Sequence, residues 1–332
     1  MLKCTKFRQT RVMHIGSLEL DNPIILAPMA GITDLPYRLI MKSFGAGLVF
    51  TEMISANGLY FNGSTTRELL KTVPAEAPLG VQLFGDQPQR VAEAIKVVEE
   101  TAQLIDINLG CPVKKVVRSG AGSALMRDPV RIAQLLRAAR HATDKPLTIK
   151  MRSGWDSENT NYLEIGHIAE QEGVNAVTIH PRTRVQMFGG KADWQHIKDL
   201  KQRLSIPVIG SGDIFTAGDV KAIFETSGCD AIMIARGGYG NPWLIRQAIE
   251  TVFDQPLSSP SPEERFWVAQ RHLKLSLEVF GPTKTLGLMR KHLCWYTRGI
   301  NNAAAFRLKI NQSQSIGQMF MLLEEFFINA GR

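Results

Sequence analysis

Eight short segments rich in β-forming residues recur along the chain, and each is followed by sequence with the apolar spacing of a helix. The segments are residues 24–27, 48–51, 80–83, 104–108, 147–152, 176–180, 207–210 and 231–235. In residues 88–101, for example, apolar side chains recur on one face of a helix. Eight β-α repeats in about 240 residues predict an α/β fold, a closed (β/α)8 or TIM barrel. A doubly wound sheet would need a GxGxxG turn after its first strand, which residues 28–31 (PMAG) do not supply.

Polar side chains gather where these segments end. Active sites of such barrels lie at the carboxyl ends of the strands, so we expect these side chains to surround one site. They are Glu52, Gln82, Asn108, Lys150, Arg152, His180, Arg182, Ser211, Asp213 and Arg236.

The segment 104–112 (LIDINLGCP) places a cysteine just past the fourth predicted strand. Alternation along a strand puts Asp106 and Asn108 on one face and two isoleucines on the other. Cys111 follows in a Gly-Cys-Pro turn, so both Asn108 and Cys111 can point into the barrel mouth. The alternative is a small buried thiol before a proline turn, because cysteine is among the residues most often buried.

Glycine-rich turns follow the last two predicted strands, at residues 210–213 (GSGD) and 236–238 (RGG). The loops at these two positions commonly bind phosphate in a barrel, through free backbone N–H groups and an arginine. We therefore expect a phosphate group near Gly212 and Arg236. The Gly-Ala-Gly of residues 120–122 is too short for a phosphate motif, and it predicts a hinge in a loop, 113–122, that closes over the substrate.

The four cysteines are far apart in the chain, at Cys4, Cys111, Cys229 and Cys294. Their spacing favours neither a disulfide framework nor a metal site, and it is typical of a reducing compartment. No apolar run approaches the roughly 20 residues that cross a bilayer, and residues 1–12 lack the apolar segment of a secretory signal. We expect a cytoplasmic protein that does not bind membranes or a metal, and no sequence feature indicates a protein partner.

A linker rich in proline and serine, residues 254–264, is predicted to separate the barrel (1–253) from a small all-helical domain (265–332). Helical patterns cover residues 262–280, 283–297, 303–310 and 315–328. From residue 256 onward ten Lys or Arg face five Asp or Glu, within a chain of net charge +8. This tail is where a polyanion would bind, although a solvated surface is the alternative.

The most polar stripe of the tail is Arg290-Lys291-His292, just before Trp295. Cations beside aromatic rings are suited to the phosphates and exposed bases of RNA. Trp295 could equally belong to the core of the helical domain.

With these residues in view, the chain resembles the bacterial tRNA-dihydrouridine synthases, in particular the B-type subgroup. The resemblance covers nearly the whole length, and its motifs keep their order and spacing. They are LAPMAGITD from Leu26, VQLFG from Val81, DINLGCP from Asp106 with KKV from Lys114, KMRSGW from Lys150, HPRTR from His180 and RKH from Arg290.

The resemblance implies a bound FMN that NADPH reduces and that passes hydride to C6 of a tRNA uracil. Cys111 would then donate the proton to C5, and Asn108 would contact the uracil. The implied cofactor-binding residues are Pro28, Met29, Ala30, Gln82, Lys150, His180, Ser211, Gly212, Asp213, Ala235 and Arg236. The implied tRNA-binding residues, besides Asn108, are Lys114, Lys115, Arg118, Arg152, Arg182, Arg184, Arg290, Lys291 and His292.

Two positions depart from the family pattern. Pro181 stands where the family usually has glycine, which stiffens the loop that carries Arg182. Ser211 stands where asparagine is usual, which puts one hydrogen bond to the flavin in doubt. Lys150, expected beside the N1 edge of the flavin, has an alternative role as a lysine paired with a carboxylate of the barrel.

Two other functions remain open from the sequence. The first is an FMN barrel that reduces a free pyrimidine or an enone, which has no use for a basic helical tail. The second is a non-catalytic RNA-binding protein, which has no use for Cys111 and Lys150. The sequence does not indicate which tRNA uridine would be reduced.

Overall fold

The computed structural model of this chain describes residues 12–330; Cys4 and the rest of the segment 1–11 lie outside them. The strands are β1 (Met13–Ile15), β2 (Leu18–Leu20), β3 (Ile24–Leu26), β4 (Val49–Phe50), β5 (Ile54–Ser55), β6 (Leu79–Phe84), β7 (Leu104–Leu109), β8 (Leu147–Arg152), β9 (Ala176–His180), β10 (Val208–Ser211) and β11 (Ala231–Ile234). The helices are α1 (Leu35–Ser43), α2 (Ala56–Tyr60), α3 (Ser64–Glu68), α4 (Pro88–Val98), α5 (Lys114–Arg118), α6 (Pro129–His141), α7 (Tyr162–Gln171), α8 (Gln195–Arg203), α9 (Ala217–Ser227), α10 (Trp243–Val252), α11 (Pro262–Tyr296), α12 (Ala303–Gln312) and α13 (Ile316–Ala330).

Parallel strands form a barrel in the order β3-β11-β10-β9-β8-β7-β6-β4, and β5 runs beside the end of β6. The ring closes between β3 and β4, because Ile25 bridges Leu48 and the Leu26 N–H donates to the Leu48 carbonyl at 2.9 Å. Helices pack on the outside against apolar side chains such as Ile105 and Ile107. The predicted (β/α)8 barrel is confirmed, and its carboxyl-end loops form one mouth.

A hairpin of β1 and β2 closes the opposite end of the barrel, and the sequence analysis missed it. Met13, Ile15 and Leu20 are buried against the first residues of the barrel strands. The missed signal is the alternation of apolar residues on both sides of a two-residue turn at Gly16, whose φ is +57°. The hairpin therefore closes the barrel at the end opposite to its mouth.

Helices α11, α12 and α13 form a bundle against the mouth side of the barrel. Helix α11 is broken at Gly281, which has a φ of 71° and is followed by Pro282. It therefore consists of two helices, close to those predicted at 262–280 and 283–297. Trp243 of α10 is fully buried in the bundle core, which joins the bundle to the barrel. No helix among the described residues is both long enough and apolar enough to cross a bilayer.

Aromatic and histidine rings fill the contact between barrel and bundle. Tyr37 of α1 lies 5.9 Å from His272 and 5.5 Å from His292, ring centre to ring centre, and its hydroxyl donates to the Gly238 carbonyl at 2.9 Å. Burial lowers the pKa of His272 to about 3 and holds the pKa of His292 well below its ordinary value. Both imidazoles are therefore neutral, and each has an Nε2 atom without a hydrogen-bond partner among the described residues.

These buried histidines make stability depend on pH. The unfolded chain protonates His292 below about pH 6.5 whereas the folded protein does not, so its contribution is full at neutral pH and is lost as the pH falls. Between pH 7 and pH 5 the free energy of unfolding of the native protein should fall by about 2 kcal/mol more than that of His292→Phe. Urea unfolding at the two pH values measures the difference.

The exposed His141 offers a matched control, because its ring is already in solvent. His141→Phe should keep the native dependence of stability on pH. Parallel profiles for the native protein and His292→Phe would show that His292 does not cause the acid sensitivity.

Candidate active site

A chain of hydrogen bonds between side chains crosses the interior of the barrel. The Thr148 hydroxyl donates to Asp106 Oδ1 at 2.6 Å and the Gln82 amide donates to Asp106 Oδ2 at 2.7 Å. The Asn108 amide donates in turn to Gln82 Oε1 at 2.7 Å. Burial raises the pKa of Asp106 to about 6, although the two donors and nearby Lys150 act in the opposite direction. The strand alternation predicted for Asp106 and Asn108 therefore places them inside the barrel, as expected.

The turn that carries Cys111 is hydrogen-bonded to Asn108, the last side chain of this network. Asn108 Oδ1 accepts from the backbone N–H groups of Gly110, at 3.1 Å, and Cys111, at 2.8 Å. The Cys111 carbonyl accepts from the Ser123 hydroxyl at 2.9 Å. Burial raises the pKa of the Cys111 thiol above its ordinary value, against smaller effects of a backbone N–H and two cations. The thiol is therefore protonated at neutral pH.

One cavity of about 350 Å³ opens at the carboxyl ends of the strands and brings together most of the predicted site residues. The predicted residues that line it are Pro28, Met29, Ala30, Gln82, Asn108, Cys111, Lys150, Arg152, His180, Ser211, Gly212, Asp213, Ala235 and Arg236. Its volume falls within the range of small-molecule sites in proteins. Of the polar strand-end residues in the sequence analysis, Glu52 and Arg182 lie outside its lining.

Cations dominate the floor and one wall of this cavity. Burial and the neighbouring Arg152 lower the pKa of Lys150 to about 8, and burial lowers that of Arg152 to about 10. Burial, with Lys150 and three arginines, brings the pKa of His180 far below its ordinary value. The His180 imidazole is neutral, and its Nδ1 is buried without a partner among the described residues. The cavity thus offers positive charge and an unused polar atom to a ligand.

The end of the cavity formed by β10 and β11 has the geometry of an anion site. Gly212 has a φ of +103°, and a Cβ added at Gly237 would lie 2.1 Å from the Ile214 carbonyl oxygen, so both positions require glycine. Asp213 accepts from Arg182 at 2.6 Å and from Arg236 at 3.3 Å. Burial would raise the pKa of Asp213, but hydrogen bonds from Arg182 and the Ala192 N–H outweigh it and lower that pKa.

The two departures from the family pattern have local partners. The Ser211 hydroxyl donates to the Met233 carbonyl at 3.0 Å and is buried between two strands. The Pro181 carbonyl accepts from the Asp193 N–H at 3.2 Å. The Ser211 side chain is therefore already used inside the barrel, which leaves its role toward a cofactor as a prediction.

Met53, Phe188, Phe215 and Tyr239 also line the cavity, and sequence reasoning missed them. Phe188 and Phe215 are 52% and 45% exposed, and the guanidinium of Arg236 lies 4.4 Å and 5.6 Å from their ring centres. Met53 lies two residues after the predicted strand 48–51, directly before β5, and this position could have indicated it. The other three lie in loops, where neither alternation nor helical spacing predicts direction.

Four of the predicted RNA-binding cations lie on the mouth side of the barrel. Lys114, Lys115 and Arg118 are exposed on α5, which follows Cys111. Arg184 is half-buried, and its guanidinium lies 4.8 Å from the Trp155 ring centre.

Two further residues predicted to contact RNA, Arg182 and His292, are buried. Arg182 is 2% exposed, and its guanidinium is taken up by Asp213 and by the carbonyls of Gly189 and Gly190. His292 is 1% exposed, between barrel and bundle. Contact of either side chain with RNA remains a prediction. Arg152 is also buried, at 4% exposed, but it lines the cavity.

The neighbouring cations of the bundle have partners within the protein. Lys291 Nζ donates to the Gly31 carbonyl at 2.5 Å, and the Gly31 N–H donates to the Glu52 carboxylate. The guanidinium of Arg290 donates to the Ser313 carbonyl at 2.8 Å. Lys291 thus fixes the end of the 28–31 loop that lines the cavity, and contact of Lys291 or Arg290 with RNA remains a prediction.

Trp295, for which the sequence left two roles open, packs between the bundle and the barrel. Its ring stacks on Tyr239 with centres 4.4 Å apart and planes at 12°. Because Tyr239 lines the cavity, the bundle supports one of its walls.

The arrangement can bind a flat anionic ligand, with cations along one edge and at one end, beside a protonated thiol. The cations lower the energy of negative charge on such a ligand, and the thiol can deliver a proton to it.

Comparison with known proteins gives the family. Residues 25–330 match the profile of the family described as dihydrouridine synthase. The chain is 42% identical to the tRNA-dihydrouridine synthase B of Pasteurella multocida over 318 residues, 95% of this chain and 96% of that protein. It is 41% identical to a probable tRNA-dihydrouridine synthase of Rickettsia bellii, over 90% of this chain and 93% of that one. With the tRNA-dihydrouridine synthase B of Escherichia coli K12 it shares 38% identity, over 96% and 99%.

Solved structures share the fold. A 6-hydroxypseudooxynicotine amine oxidase from Pseudomonas geniculata N1 matches 73% of this chain with a TM-score of 0.58 and 13% identity. A histamine dehydrogenase from Rhizobium sp. 4-9 matches 80% with a TM-score of 0.53 and 15% identity. This chain spans 49% and 50% of those two proteins, so they bear on the barrel alone. From the full-length match of profile and relatives, the chain belongs to the dihydrouridine synthase family.

Proposed function

We propose that this protein reduces uridines in tRNA to 5,6-dihydrouridine, with FMN as bound cofactor and NADPH as reductant. The observation that carries the proposal is the convergence of a protonated Cys111 thiol and the Lys150 ammonium on one cavity of a dihydrouridine synthase barrel. When bound, the flavin would supply the hydride, which no protein side chain can provide. A tRNA substrate implies that the protein works in the cytoplasm.

The residues around the cavity fit a flavin mononucleotide. Residues 28–30 form an apolar wall, and Gln82 and Lys150 offer a donor and a cation beside it. The unpartnered His180 Nδ1 offers a further polar contact. Arg236, Gly212 and Gly237 would hold the phosphate, where the absence of side chains lets the backbone approach.

Cys111 would donate the proton that C5 of the uracil requires. A general acid must carry its proton at the working pH, and burial raises the pKa of this thiol. A nucleophilic cysteine would need the opposite shift. Asn108 would hold the thiol in place through the turn and would face the uracil.

Lys150 would stabilise negative charge on the reduced cofactor. Its pKa of about 8 leaves it charged at neutral pH. Its predicted alternative, an ion pair with a barrel carboxylate, is not formed in the described structure, where the nearby Asp106 is held by Thr148 and Gln82.

The exposed cations near the mouth would bind the tRNA backbone. A uridine inside folded tRNA must be turned out of its loop to reach the cavity, at a cost of a few kcal/mol. Contacts of Lys114, Lys115, Arg118 and Arg184 with phosphates would offset this cost.

The role of Cys111 is tested with unmodified tRNA transcript and NADPH, with dihydrouridine measured by mass spectrometry. Cys111→Ala should slow dihydrouridine formation by about 10²- to 10⁴-fold, the usual contribution of a general acid. Reduction of the flavin by NADPH should be unchanged. In the native protein the rate of uridine reduction should fall as the pH rises through the raised pKa of the thiol.

Cys294→Ala is the matched control, because Cys294 is a half-buried thiol of the bundle away from the cavity. If the native protein oxidises NADPH but leaves every tRNA uridine intact, the proposed substrate is wrong. If Cys111→Ala keeps native turnover, another group donates the proton.

The role of Lys150 is tested by the midpoint potential of the bound flavin. Lys150→Met should lower that potential by about 50 mV at pH 7, since one charge a few Å away in a protein interior contributes a few kcal/mol. The difference should shrink at a pH high enough for native Lys150 to lose its proton beside the bound flavin.

Lys221→Met, at an exposed position on α9, serves as control and should leave the potential unchanged. A midpoint potential that is the same in the native protein and in Lys150→Met at pH 7 would exclude the charge of Lys150 as a determinant of the potential.

A further inference from the structure

The turn between α2 and α3 presents two neighbouring aromatic side chains to solvent. Tyr60 is 50% exposed and Phe61 is 67% exposed. Their rings meet edge to face, with centres 5.1 Å apart and planes at 90°. Contiguous exposed apolar surface marks interaction sites more often than single scattered residues do.

The backbone holds this pair in place. Asn62 has a φ of 54°, and the Gly63 N–H donates to the Gly58 carbonyl at 2.8 Å. A Cβ added at Gly58 would lie 2.4 Å from Thr66 Oγ1, so the two short helices pack in close contact. The rings therefore project from a tight turn.

One arginine lies against both rings, and a second is bonded to the residue that follows Phe61. The guanidinium of Arg90 lies 5.5 Å from the Tyr60 ring centre and 5.3 Å from that of Phe61. Arg90 donates to the side-chain oxygen of Asn57 at 3.1 Å, and Arg67 donates to that of Asn62 at 2.8 Å. Both acceptors are neutral amides.

These cations are not neutralised within the protein. No carboxylate lies within 4.0 Å of Arg67 or Arg90 in the part of the chain that the structure describes. The same holds for the exposed Lys114, Lys115 and Arg118 on α5. Positive charge beside exposed rings is complementary to a phosphate chain that carries bases.

The aromatic pair lies on the rim of the candidate active site. Helix α2 follows the end of β5, which pairs with the carboxyl end of β6, and Arg90 is in the first turn of the helix after β6. A Cβ added at Gly120, in the Cys111 loop, would lie 3.4 Å from Asp86 Cβ, just before that helix. The rim therefore continues from Tyr60 and Phe61 past Arg90 to the cations of α5.

We propose that Tyr60 and Phe61 form a stacking platform for a base of the RNA substrate that lies outside the cavity. Arg67 and Arg90 bind the adjoining phosphates. The proposal rests on the proposed function, in that the RNA is tRNA, and it adds a second contact for a base besides the cavity. Every base has a π face, so such a platform accepts different bases.

The experiment measures the affinity of the flavin-loaded protein for unmodified tRNA transcript over a salt series, and the rate of dihydrouridine formation. Tyr60→Ala/Phe61→Ala should weaken tRNA binding by about tenfold or more, as for loss of one stacked base. KM for tRNA should rise in the same proportion, and kcat at saturating tRNA should stay near the native value. Phe61→Leu, which keeps the apolar bulk without the π face, should also weaken binding.

Arg67→Ala should reduce the slope of log affinity against log salt by about one, as for a single phosphate contact. Phe253→Ala is the matched control, because Phe253 is a partly exposed ring after α10, at the opposite end of the barrel. It should keep native affinity. Thermal unfolding of each variant establishes that it is folded.

The outcomes separate this proposal from the proposed function. If the native protein binds tRNA and forms dihydrouridine while the double variant keeps native affinity, the platform is refuted and the function stands. If the native protein binds no tRNA, the stacking platform and the proposed function are both wrong. If the double substitution dissociates a native oligomer in sedimentation and leaves tRNA affinity unchanged, the rings form an interface between copies of this chain, which also overturns the proposal.

Discussion

The hydrogen-bonded chain inside the barrel is the interaction on which the candidate site depends. It begins at buried Asp106, passes through Gln82 and Asn108, and ends on the backbone of Cys111. Each group in it would be costly to bury alone, because an unpaired polar group in a protein interior loses its hydrogen bonds with water. Together they form a satisfied network that fixes the thiol at the mouth, and the apolar hairpin closes the other end.

The cavity carries a surplus of positive charge, because its cations outnumber the acidic groups that pair with them. Asp213 is taken up by Arg182 and Arg236, so it orients cations and does not neutralise the cavity. Lys150 and Arg152 face the same space, and burial lowers the pKa of each. A bound anion would balance the net positive charge of this cavity. This agrees with a ligand that carries a phosphate and gains negative charge on reduction.

The bundle is part of the site as well as an appendage to the barrel. Lys291 holds the Gly31 carbonyl, and Trp295 stacks behind Tyr239 in the cavity wall. His292 is buried in the same contact, so this part of the basic and aromatic stripe packs inside the protein. A cation beside aromatic residues has the same sequence pattern whether it faces solvent or packs between two parts of a protein.

The sequence by itself determined the barrel, the strand faces and the residues at the strand ends, because strand alternation and the carboxyl-end rule fix where those side chains point. Helical spacing likewise predicted the bundle helices and the break near Gly281. Tertiary structure alone decided which cations are paired with a carboxylate: Arg182 is paired and buried, whereas Arg67 is exposed and donates to a neutral amide. It also placed Phe188 in the lining of the cavity. Phe188 lies in a loop, where no periodicity predicts the direction of a side chain, and residues distant in sequence meet only when the chain has folded.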